Sequence, residues 1–73
     1  MLRDVTFIEY MHITGDLVKR KLAESFYDKN TGSVEWKKNK DSIQVLAHRS
    51  KGKEGNFINR VDETIYEEWL RSR

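Results

Sequence analysis

The 73-residue chain contains neither cysteine nor proline. Without cysteine there are no disulfides to support a small core, and nothing ties the chain to an oxidising compartment. The lack of proline speaks against a linker-rich or disordered chain. No apolar run approaches membrane-spanning length, and the first residues do not resemble a signal peptide. The expectation is therefore a cytoplasmic protein without a membrane segment. Also missing are a GxxxxGK[ST] loop, any metal-ligand spacing and any nucleophile–base–orienter set. Those absences point away from an enzyme and imply no cofactor.

What is present suits one small domain spanning residues 1–73, near the size where a single core only just suffices. Charged residues make up 36% and hydrophobic residues 37%, as in a domain with a heavily charged surface. The net charge of +2 is unevenly spread. Residues 17–53 hold ten basic and four acidic side chains, net +6, whereas 1–16 and 54–73 are each net −2. A basic middle points to a polyanionic partner, or to pairing between the ends and the middle.

The plainest local signal is Ser25–Trp36, read as a β-hairpin. Asn30-Thr31-Gly32 suits a three-residue connection whose last position is left-handed, and Phe26-Tyr27 and Val34–Trp36 suit flanking strands. Pairing Lys29 with Ser33 sets Phe26 opposite Trp36. Val5–Ile13 is apolar and β-branched, and is predicted as a strand ending in a Thr14-Gly15 turn. Leu17–Tyr27 has Val18, Leu22 and Phe26 spaced by four. That spacing fits one face of a strand or of a helix, and the segment is read as a long strand with the helix as alternative. A further strand is expected over Ser33–Lys38, then an Asn39-Lys40 turn, then a strand over Ser42–Arg49. Arg49–Asn56 reads as a loop and Val61–Arg71 as a helix with Val61, Ile65 and Trp69 in a stripe.

The predicted fold is α+β, a four-stranded antiparallel meander with a C-terminal helix packed on one face. Its core face would collect Val5, Phe7, Met11, Val18, Leu22, Phe26, Val34, Trp36, Ile43, Val45 and Ala47. The other face would carry Ile8, Tyr10, His12, Lys19, Lys21, Tyr27, Glu35, Lys37, Gln44, Leu46 and His48. Lysines interleaved with aromatic rings suit nucleic acid, since ammonium groups neutralise phosphates and rings stack bases. The expected contacts are Lys19, Lys21, Lys37, Lys38 and Lys40 for phosphates and Tyr10 and Tyr27 for bases, on DNA or RNA. An alternative fold, a winged helix-turn-helix around His12–Gly15, reaches the same function through Lys19, Arg20 and Lys21. The rival function is a small protein-interaction module (an inhibitor, adaptor or subunit of the kind phages and mobile elements encode). Such a module would present Tyr10, Tyr27 and Leu46 to a protein partner, or pair its first strand with that of a second copy to form a homodimer. His12 and His48 read as ordinary surface residues rather than metal ligands.

Overall fold

A threonine and a glutamate three residues apart decide the first part of the chain. In the computed structural model, which describes residues 1–41 and 43–73, the Thr6 hydroxyl accepts from Glu9 N–H at 3.1 Å, and Glu9 Oε1 accepts from Thr6 N–H at 2.9 Å. This reciprocal box satisfies two backbone donors and starts helix α1 (Phe7–Lys19) directly after strand β1 (Leu2–Val5). Tyr10, Ile13, Thr14 and Leu17 fall on one side of α1 and are buried. Thr14 stays satisfied by donating its hydroxyl to the Tyr10 carbonyl at 2.8 Å. The helix ends in a Schellman turn. Lys21 N–H donates to Val18 and Leu22 N–H to Leu17, with Lys21 left-handed at φ 57°. The expected strand Val5–Ile13 and its Thr14-Gly15 turn are thus replaced by one continuous helix, with Gly15 inside it. The helix-turn-helix alternative falls for the same reason, since no break occurs at residues 12–15.

The hairpin of β2 (Ala23–Asp28) and β3 (Ser33–Lys38) forms as expected, with Gly32 at φ 74°. Its register is shifted by one. The Asp28 carboxylate accepts from Asn30 N–H, and the Asp28 carbonyl accepts from Gly32 N–H, so Asp28 rather than Lys29 pairs with Ser33. A one-residue slip moves side chains to the other face of the sheet. Phe26 therefore stands opposite Glu35, and Trp36 opposite Ser25.

The next connection is longer than a two-residue turn. Lys38 N–H donates to the Gln44 carbonyl, and β4 (Val45–Lys51) sets Ala47 against Trp36, where a tight Asn39-Lys40 turn would have set Ile43. The predicted start of this strand, Ser42, lies outside the described residues. A bulge between Trp36 and Lys37 leaves Leu46 as an extra residue, and Leu46 is buried. The predicted loop is shorter than expected: β4 runs on through Arg49–Lys51, residues 52–56 form the turn, and β5 (Phe57–Asp62) follows directly. Val61 belongs to β5, and helix α2 (Glu63–Ser72) begins after Asp62, whose carboxylate accepts from Thr64 and Ile65 N–H. The predicted C-terminal helix is otherwise present.

The architecture is α+β with a five-stranded antiparallel sheet in the order β1-β5-β4-β3-β2. Residues directly opposite across strands share a face, so Arg3, Val61, Ala47, Trp36 and Ser25 form one row. Both helices lie over that face. The Trp36 indole N–H donates to the Tyr10 hydroxyl at 2.8 Å, the Arg3 guanidinium sits over the Tyr66 ring, and Tyr66 donates to Glu9. The buried core is Tyr10, Ile13, Leu17, Ala23, Leu46, Ala47 and Val61, with Val5, Trp36, Ile65, Tyr66 and Trp69 packed around it. Fully burying a large apolar side chain is worth about 1.5–3 kcal/mol, so this is a modest core. Phe7, Met11, Val18, Leu22, Phe26 and Ile43, all expected inside, are exposed. Among the described residues, no helix is long and apolar enough to cross a membrane.

Candidate nucleic-acid interface

The sheet face away from the helices is not the lysine–tyrosine surface expected. Its central row runs Asp4, Arg60, His48, Glu35, Phe26 across the five strands. Asp4 and Arg60 pair at 2.8 Å, and the row mixes acidic, basic and aromatic side chains. Of the predicted contacts, only Lys37 stands on this face, with its ammonium 5.2 Å from the Phe26 ring centre. Tyr10 is in the core, 6% exposed, and burial raises its phenol pKa. It cannot stack a base without unfolding α1 from the sheet. Tyr27 is 69% exposed but lies on the helix-bearing face, opposite Val34. The two histidines are likewise separated. His12 stacks on Trp69 of α2, and His48 sits in the open row.

The lysines gather instead at one end of the sheet. Helix α1 ends there, strand β2 begins there, and the β3–β4 connection turns there. Asn39 ties the two turns together. Its backbone N–H donates to the Leu22 carbonyl at 2.9 Å and its side-chain amide to the Lys21 carbonyl at 2.6 Å. Lys19, Lys21, Lys38 and Lys40 project from this joined pair of turns, all exposed. Lys37 and Lys38 also line a shallow cavity of about 220 Å³ with Lys40, Phe26, Glu24 and Asp41. Lys21 and Lys40 share an unusual backbone. They are the only non-glycine residues of positive φ among the described residues, at 57° and 66°. Lysine in that conformation costs about 1–2 kcal/mol relative to a right-handed one, and glycine would remove the cost.

Lysine and arginine divide the electrostatic work. Arg3, Arg20 and Arg60 pair with Glu63, Asp16 and Asp4, whereas among the described residues no lysine is within ion-pairing distance of a carboxylate. Three arginines are thus engaged in surface pairs, while the lysines carry no carboxylate partner among the described residues. A cluster of unpaired ammonium groups on short turns can neutralise successive phosphates without breaking any internal bond.

A second surface is apolar. Ile8, Met11, Val18 and Leu22 are 67%, 55%, 49% and 45% exposed; Ile8, Met11, Gly15 and Val18 follow alternating three- and four-residue steps along α1, and Leu22 lies just beyond the helix end. That is the spacing of a helix–helix seam. Among the described residues eleven large apolar side chains are exposed, against seven buried hydrophobic residues, so much of the apolar surface remains open to a partner. Compared with protein families, curated proteins and solved structures, the chain gives no match.

Proposed function

We propose that the chain is a small, non-enzymatic, cytoplasmic nucleic-acid-binding protein whose contact surface is the lysine-bearing end of the sheet. Lys19, Lys21, Lys37, Lys38 and Lys40 neutralise phosphates there, and Phe26 beside Lys37 takes the stacking role that the buried Tyr10 cannot. The observation that carries the reading is the pair of left-handed lysines in two turns bonded through Asn39. A strained backbone supports a functional role when a residue of lower cost would serve the fold better. Glycine would serve the fold better at both positions and would present no charge.

The test separates binding from folding. Labelled single- and double-stranded oligonucleotides are titrated at two salt concentrations against the parent, Lys21→Gly and Lys40→Gly. Each variant should melt at or above the parent, yet flatten the log affinity–log salt slope by about one. No binding to either oligonucleotide at low salt removes the proposal.

The α1 seam favours a second reading, in which the chain is a protein-interaction module that docks a helix of a protein partner or of its own second copy. Sedimentation of the parent and Met11→Glu over a concentration series tests self-association. A parent that dimerises and a variant that does not would support a homodimer. A parent monomeric at every concentration would exclude it.

A further inference from the structure

Arg49 stands at the other end of the sheet from the lysine turns, on the helix-bearing face of β4. Its guanidinium lies between two phenyl rings, 4.5 Å from the centre of Phe7 and 4.0 Å from that of Phe57. Its Nε–H donates to Asn59 Oδ1 at 3.0 Å, and Asn59 is itself buried on β5. Two rings and one hydrogen bond thus fix the plane of the fork. The remaining four N–H donors have no acceptor among the described residues. Among the described residues no buried side-chain nitrogen lacks a partner, so these donors reach solvent. A planar fork with its outer donors free matches two oxygens of one oxyanion, and its ordering cost is already met by the fold.

The sheet register names what else lies alongside. Asn59, Arg49, Val34 and Tyr27 are opposite one another on successive strands. Tyr27 is therefore two strands from Arg49, about 10 Å away, on the same face and with its ring exposed. Lys51 follows Arg49 on that face two residues along β4. An oxyanion fork, an open aromatic ring and a further ammonium in reach of one another suit a polymer of phosphates and bases. The ring can stack only on a base that is itself unstacked.

We infer that Arg49 is a preformed site for a backbone phosphate of single-stranded nucleic acid, with a neighbouring base stacked on Tyr27. This rests on the proposed function and adds a second anchor, on the helix-bearing face at the end of the sheet opposite the lysine turns.

The experiment follows the Arg49 Nε–Hε resonance of the full chain by NMR while an oligothymidylate single strand is added. In parallel, affinities and salt slopes are measured for Arg49→Lys, Tyr27→Ala and Lys40→Gly. The Arg49 resonance should shift saturably. Arg49→Lys should weaken binding about tenfold while keeping the salt slope, because the charge stays and the fork is lost. Tyr27→Ala should weaken single-strand binding at least about fivefold, nearly independently of salt. The resonance measurement needs no variant, so it stands even if Arg49→Lys is destabilised. Binding that leaves the Arg49 resonance unmoved, yet loses slope in Lys40→Gly, overturns this site and keeps the lysine end. No binding at low salt overturns both.

Discussion

Replacing Gly15 by alanine tests the fold at the point where a turn was expected and a helix stands. Gly15 lies in the third turn of α1, its φ is not positive, and a Cβ built on it would meet nothing within 4 Å. The substitution therefore brings no clash and no strain. Alanine is favoured over glycine inside a helix by about 0.8–1.0 kcal/mol, chiefly because the unfolded glycine is freer. In a domain of this size, 1 kcal/mol moves the melting temperature by about 4–8 °C. Gly32 is the control. A Cβ there also meets nothing within 4 Å, but φ is 74°, so Gly32→Ala should lower stability by about 1 kcal/mol. Thermal melts followed by circular dichroism, with urea titrations to check an unchanged m-value, give both signs. A Gly15→Ala protein that melts below the parent would mean that residue 15 has a left-handed backbone. The continuous helix would then be wrong.

Tyr10→Phe removes the acceptor of the Trp36 indole N–H and should cost about 1–3 kcal/mol in urea unfolding, with equal stability refuting any contribution from that bond. Glu9 is held below its ordinary carboxyl value of 4.5, first by the Thr6 backbone N–H and next by the Tyr66 hydroxyl. A depressed folded value contributes stability above about pH 4.5, lost as pH falls through the lower folded value. Glu9→Gln should accordingly flatten the acid limb of melting temperature against pH, and an unchanged limb would show the box to be thermodynamically silent.

The C-terminal helix and the central hairpin were legible because their signals are local: a stripe at Ile65 and Trp69, and turn chemistry around Gly32. The hairpin's register was not, because the Asp28 side chain captures Asn30 N–H and starts the loop one residue early. That single bond put Phe26 on the open face. Helix α1 was read as strand on the strength of Val, Ile, Thr and aromatic residues, whose strand preference is weak beside burial. The Thr6-x-x-Glu9 box was the overlooked signal. Strand β5 hid because its inward row includes Asn59, a polar residue made tolerable by the Arg49 bond. The gathering of the lysines at one end of the sheet depends on Asn39 joining two turns 18 residues apart, which no periodicity encodes.

The strand order also sets a kinetic sequence. Strands β2, β3, β4 and β5 are joined by short turns, whereas β1 pairs with β5 between residues 54 to 60 positions apart. Closing such a span costs about 2 kcal/mol more in chain entropy than closing a four-residue turn. Strand β1 should thus be the last to dock, and only after residue 62 has been synthesised. Until then β5, enclosed between β1 and β4 in the finished sheet, is an open edge carrying Phe57, Ile58 and Val61. An unpaired apolar edge invites pairing between chains, so the nascent protein is most exposed to aggregation in the interval before β1 returns to cover β5.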